Sequence, residues 1–105
     1  MVLDDAEQEK IVVRVHPKII DLIPRYLENQ RQCARTIQDA LLHQDYYQVE
    51  RLAHDMKGSG GGYGFPFITM IGDSLEKAAR VADTETIRGK VDELLDYLNR
   101  LEIVS

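Results

Sequence analysis

The sequence predicts an all-α protein, an antiparallel four-helix bundle with a short extra helical turn on its N-terminal side. Three observations predict it. Apolar residues recur at spacings of three and four along four long segments. Turn and capping residues separate those segments by links of two to five residues, which suit helices that double back on one another. The chain of 105 residues, 44% hydrophobic and 30% charged, has the size and composition of one ordinary globular domain with a core of its own.

Along the chain, residues 1–10, "MVLDDAEQEK", are polar and acidic without periodicity and read as a mobile tail ahead of a single domain at 11–105. "IVVRV" (11–15) is β-branched and reads as extended, with a counterpart in "EIVS" at the far end. The two can pair as a ribbon, but a two-strand ribbon is marginal alone, and the pattern leaves the pairing open. From Pro17 to His43 the apolar stripe is Ile19, Ile20, Ile23, Leu27, Ala34, Ile37 and Leu41. Pro24 interrupts it and fits only a first helical turn, which splits the stretch into a turn at 17–22 and a helix from 24 to 43.

Asp45 followed by Gln48 has the spacing of a capping box and starts a second helix, whose buried side is Val49, Leu52, Met56 and Tyr63. "GFP" (64–66) ends it, with Gly64 suited to a left-handed cap and Pro66 opening the next helix. That third helix carries Ile68, Ile71, Leu75, Ala78, Ala79 and Ala82. Asp83 caps a fourth, with Ile87, Val91, Leu94, Leu98 and Leu101 on one side.

Several function classes are excluded early. The net charge of −5, with no strongly basic stretch, argues against nucleic acid, since phosphate-backbone binding needs a basic face. A single cysteine, Cys33, permits no internal disulfide and no cysteine-based zinc site. No apolar run approaches the ~20 residues of a membrane span, and the acidic start is unlike a signal peptide. These features lead to the expectation of a cytoplasmic protein; nothing marks a dimerisation helix, so a monomer is expected.

The stretch "HDMKGSGGGYGF", His54 to Phe65, packs five glycines into seven residues after a His and a Lys three apart. A P-loop has its glycines first and Gly-Lys-Ser/Thr last, the reverse of this order, and a dinucleotide fingerprint needs a preceding strand. The helical reading keeps the apolar face in register through the glycines. At about 100° per residue, His54, Lys57, Gly58 and Gly61 share a sector within roughly 60° of His54, with Glu50 and Tyr47 one and two turns before. Helical glycines at 58, 60, 61 and 62 cost roughly 3–4 kcal/mol against Ala. Two compensations follow: Gly60 lets two helices approach, while Gly58 and Gly61 clear space around His54 for another molecule. The helix is expected to fray near Gly62.

"AHDMKGSGGGYGF" resembles the signature of histidine-containing phosphotransfer (HPt) domains: a His, a Lys three later, then Gly and Ser, and a second Gly about ten after the His. His54, Lys57, Gly58, Ser59 and Gly64 fill those positions in order. "LIPRYLENQRQ", "ALLHQDYYQVERLAH" and "IGDSLEKAA" are similar to the family's first three helices, so the likeness spans residues 17–101. It departs at Gly60, Gly61 and Gly62, where the family more often has Ser, Ala and Asn. The resemblance implies a phosphotransfer intermediate of a two-component phosphorelay. His54 accepts a phosphoryl group from the aspartyl phosphate of a response-regulator receiver domain and passes it to another receiver, with a (hybrid) histidine kinase upstream.

In that setting Lys57 stabilises the phosphoryl charge, and Gly58, Gly61, Glu50 and Tyr47 form the receiver-docking surface. An imidazole with one unprotonated nitrogen is a nucleophile at neutral pH, and a neighbouring ammonium suits the charge of phosphoryl transfer. The resemblance implies no kinase core and no cofactor of this chain's own. Mg²⁺ is expected on the partner receiver, because Asp55 points about 100° from His54 and Glu50 is a single acid.

The remaining candidates read as structural: Ser59 bonding back to a helix carbonyl, His16 and His43 capping helix ends or facing solvent, Cys33 as a small boundary residue. Two rival functions stand beside the phosphorelay. An HPt-like bundle can serve only to bind receivers or as a scaffold. The "HD" at 54–55 also resembles metal-dependent phosphohydrolases, which need further His and Asp ligands that His16 and His43 do not convincingly supply.

Overall fold

The computed structural model describes residues 9–105, so most of the expected tail at 1–10 lies outside the described residues. The order of elements is β1 (Ile11–Arg14), a 3-10 turn (Ile20–Leu22), α1 (Ile23–Leu42), α2 (Tyr46–Tyr63), α3 (Pro66–Arg80), α4 (Thr84–Arg100) and β2 (Leu101–Val104). The four helices form an all-α bundle in which α2 packs on α1 and α3, and α4 on α3 and α1. Ile23, Ile37, Val49, Met56, Phe65, Ile68, Leu75, Ile87 and Leu94 fill its interior.

Local chemistry sets the helix ends. Pro24 sits in the first turn of α1, where its missing N–H is not needed, and the preceding 3-10 turn runs directly into that helix. The Asp45 and Asp83 carboxylates accept the Gln48 and Thr86 N–H groups, capping α2 and α4. Both α1–α2 and α3–α4 links pass through a left-handed residue just before that Asp, Gln44 at φ 55° and Ala82 at φ 52°. The expected apolar residue Ala82 therefore lies beyond α3. Leu101 likewise leaves α4 and starts β2.

The ribbon left open by the sequence forms. β1 and β2 pair in parallel, Ile11 opposite Leu101 through Arg14 opposite Val104. Parallel neighbours need a long crossover, and here the whole bundle supplies it. Ile11, Val13, Leu101 and Ile103 pack against the core, so the ribbon is not isolated.

The expected fraying near Gly62 does not occur. α2 remains helical to Tyr63 and closes on Gly64, left-handed at φ 92°. Its buried line is Val49, Ala53, Met56 and Gly60, with Leu52 and Tyr63 only partly covered. The reason is α3, which lies against the Ala53–Gly60 edge. A Cβ on Gly60 would stand 2.6 Å from the Thr69 backbone nitrogen and 2.9 Å from the Phe65 carbonyl oxygen. A Cβ on Gly72 would stand 2.6 Å from the Lys57 nitrogen and 2.9 Å from the Ala53 carbonyl oxygen. Thr69 Oγ1 adds a hydrogen bond to the Lys57 carbonyl at 3.0 Å. By contrast, nothing lies within 4 Å of a Cβ on Gly58 or Gly62, and Gly61 meets only Thr69 Oγ1 at 3.8 Å.

The glycines thus divide into two classes with opposite responses to alanine. Gly72→Ala and Gly60→Ala force backbone apart and should destabilise by about 1–3 kcal/mol. Gly58→Ala should stabilise by up to ~1 kcal/mol through helix propensity. Thermal or denaturant unfolding of the three variants checks the division; a Gly72→Ala protein as stable as the parent would refute the close approach.

Candidate functional site

Halfway along α2, the His54 side chain projects from the face opposite Met56 and is 70% exposed. Its Nδ1 lies 2.8 Å from Oε2 of Glu76 on α3. An ionised carboxylate can only accept, so the neutral imidazole carries its proton on Nδ1 and donates it to Glu76. The Nε2 lone pair remains free on the exposed side of the ring.

Glu76 is only 6% exposed, and burying a carboxylate is costly unless cations and donors surround it. Here they do. Besides His54, it faces Lys57 Nζ at 3.4 Å and Arg80 Nη2 at 3.3 Å. The hydrogen bond from His54 is the largest influence holding its carboxyl below the ordinary range. The Lys57 hydrogen bond and the Arg80 and Lys57 charges act in the same sense, against the opposing effect of burial. Glu76 is therefore ionised at neutral pH.

Lys57 also reaches Asp73 Oδ1 at 3.0 Å, and Asp73 Oδ2 takes Lys77 Nζ at 2.9 Å. The Asp73 hydrogen bond leads the influences that hold the Lys57 ammonium more firmly protonated than usual. At the other end, Arg80 Nε donates to Glu50 Oε2 at 2.8 Å. The result is a continuous chain, Glu50–Arg80–Glu76–Lys57–Asp73–Lys77, with His54 hung from its centre.

The sequence-predicted residues fall on one exposed side. Tyr47, Glu50, Arg51, His54, Asp55 and Glu76 line a shallow open groove, and the Arg51 guanidinium lies 6.0 Å from the Tyr47 ring centre. Gly58 and Gly61 are exposed on the same helix, and Lys57 is half-exposed at its edge towards α3. Glu50 does not stand as a single acid here: α3 brings Glu76 and Asp73 alongside. Among the described residues, no three His, Cys, Asp or Glu side chains are grouped to hold a metal ion. Glu50, Asp73 and Glu76 face Lys57, Lys77 and Arg80 instead.

Glu76, Asp73, Arg80 and Gly72 escaped the sequence reading. A signal existed: Glu76 stands four residues after Gly72 and three before Ala79, at the edge of an apolar stripe, where a carboxylate must find partners. The other candidates are structural. Ser59 Oγ donates to the Met56 carbonyl at 3.2 Å, His16 Nδ1 accepts from the Lys18 N–H, and His43 meets the Asp39 carbonyl. Cys33 is partly covered, and burial pushes its thiol up to about 11, which leaves it unreactive.

Residues 21–103, 83 of the 105 in the chain, match the model of the Hpt domain family. No curated protein and no solved structure matches the chain. The matched span contains all four helices and the whole network around His54. With most of its length matched and its folded helices inside the match, this chain belongs to the Hpt domain family.

Proposed function

We propose that this protein is a phosphocarrier of a two-component phosphorelay, taking a phosphoryl group on His54 from one receiver domain and passing it to another. Hpt domains take part in phosphotransfer within phosphorelays and interact with receiver domains and histidine kinases. The observation that carries the residue assignment is the 2.8 Å bond from His54 Nδ1 to buried Glu76, which leaves Nε2 as the exposed nucleophile.

In this reading the Nε2 lone pair attacks phosphorus in line with the receiver's aspartyl oxygen. The N–P bond forms, the P–O bond breaks, and the aspartate carboxylate leaves. The Nδ1 proton stays in place, so the phosphorylated ring carries positive charge, and that charge faces the Glu76 carboxylate. Lys57 offers an ammonium N–H to the phosphoryl oxygens. The same steps in reverse load the next receiver. Mg²⁺ belongs to the receiver, since Glu50, Asp73 and Glu76 are engaged by Lys57, Lys77 and Arg80. A histidine kinase supplies the relay upstream, and the chain works as a cytoplasmic monomer. No described helix is long and apolar enough to cross a membrane.

Incubation with a phosphorylated cognate receiver and Mg²⁺ should give an acid-labile, base-stable label that His54→Gln abolishes without loss of helical circular dichroism. Undiminished labelling of that variant overturns the assignment, and a wild-type protein that binds receivers but takes no label points to a scaffold.

The flanking charges predict a kinetic effect. Lys57→Ala and Glu76→Gln should each slow transfer roughly tenfold at saturating receiver, since each removes a charge-assisted contact from the reacting ring or phosphoryl group. Rapid-quench single-turnover rates equal to wild type would make these residues bystanders.

Access predicts a third result. Gly58→Leu should keep the fold, because its side chain enters open space, yet lose most transfer by blocking the receiver's approach to the imidazole. Unchanged transfer rates in that variant would show that Gly58 is not retained for access.

A further inference from the structure

Lys57 is held by two carboxylates that are not equivalent. Glu76 is buried and already serves His54 and Arg80. Asp73 is about one-third exposed, makes the shorter contact, and carries Lys77 on its other oxygen. An ammonium has three donors, so these two contacts leave only one for a third partner.

The charges of the network balance before any reaction: Glu50, Asp73 and Glu76 against Lys57, Lys77 and Arg80. A phosphoryl group adds about −1.5 to −2, while the modified ring gains about one positive charge. The surplus is negative and sits at Nε2, on the ring whose other nitrogen is anchored beside Lys57. Arg80 is tied to both Glu50 and Glu76, whereas Lys77 contacts Asp73 and, unlike Lys57, shares no carboxylate with His54. Lys57 is the cation that can answer, and Asp73 is the partner it can release. Lys77 makes that release inexpensive, because Asp73 keeps a counter-ion and no half-covered carboxylate is left bare.

We propose that Asp73 is a positioning residue for phosphoryl storage: it parks Lys57 while His54 is free and yields it to the phosphoryl oxygens once His54 is modified, with Lys77 remaining on Asp73. The inference rests on His54 as the phosphorylated residue. It makes the negative charge of Asp73 a competitor of the phosphoryl group for one ammonium, so this carboxylate sets how strongly the site holds its cargo.

The test is a double-mutant cycle read without any receiver. Phosphoramidate transfers its phosphoryl group to imidazole with loss of ammonia. A ³¹P NMR titration of the labelled protein then reports the second ionisation of the phosphohistidine, which falls as Lys57 engages it more fully. Asp73→Asn should lower that apparent pKa by roughly 0.3 or more, a twofold change in proton affinity. In a Lys57→Met background the same substitution should move it by less than half as much. Equal shifts in both backgrounds would mean that Asp73 acts through its own field, and no shift in either would mean that it does not compete; both overturn the inference.

The outcomes separate this inference from the phosphocarrier reading. Labelled His54 without a Lys57-dependent shift removes the role of Asp73 alone. A positive cycle in a protein that exchanges nothing with receivers removes the relay alone. A His54 that takes no phosphoryl group from either phosphoramidate or a phosphorylated receiver removes both.

Discussion

The structure depends on one steric constraint, the backbone contact of α2 and α3 at Gly60 and Gly72. Each glycine occupies a position where a Cβ would press on the other helix's main chain. Their absence of side chains brings α3 close enough for Thr69 to bond the Lys57 carbonyl and for Glu76 to reach the His54 ring. The contact partners descend along α2 as they ascend along α3: Gly60 with Thr69, Lys57 with Gly72, His54 with Glu76, Glu50 with Arg80. One helix pair therefore carries both the packing and the chemistry. The helix-propensity cost of Gly60 and Gly72 is offset by the interface they permit, whereas Gly58 and Gly62 bring no packing in return.

Electrostatics follow from that geometry. Glu76 is buried because α3 is close, and it remains charged because His54, Lys57 and Arg80 meet it there. A buried carboxylate with several donors is an orienting device more than a source of stability, since desolvation consumes much of the Coulomb gain. Its effect is to set the imidazole tautomer and ring direction while the opposite nitrogen faces solvent. The outer pairs of the network, Glu50–Arg80 and Asp73–Lys77, lie at the surface and contribute little to folding. Their value lies in keeping the site's charge balanced.

The rest of the molecule holds this pair of helices in place. Tyr26 on α1 stacks on Tyr63 at 4.2 Å between ring centres and on Phe65 at 5.8 Å, and its hydroxyl meets Ser59. That cluster braces the glycine-rich end of α2, where propensity is weakest. The parallel ribbon ties the segment before α1 to the segment after α4, with Val15 N–H donating to the Val104 carbonyl and Arg14 to that of Ser105. The ribbon thereby fixes the entry to α1 and the exit from α4 against each other.

The sequence by itself determined the four helices, their caps and the exposed face bearing His54, Lys57, Gly58 and Gly61. These are properties of periodicity and local hydrogen bonding: a stripe of spacing three and four, an Asp three residues before a free N–H, a glycine able to take positive φ. They can be read within a window of one or two turns. The resemblance of "HDMKGSGGGYGF" added the phosphotransfer reading. Only the tertiary structure decided that α2 stays helical to Tyr63, that the terminal strands pair in parallel, and that Glu76, Asp73 and Arg80 stand beside His54. Each of those depends on residues far apart in the chain, 22 positions between His54 and Glu76 and 91 between Arg14 and Ser105. Helical periodicity places a side chain on its own helix and is silent about the neighbour it will face. That neighbour was settled by the glycines, which allow the two backbones to touch.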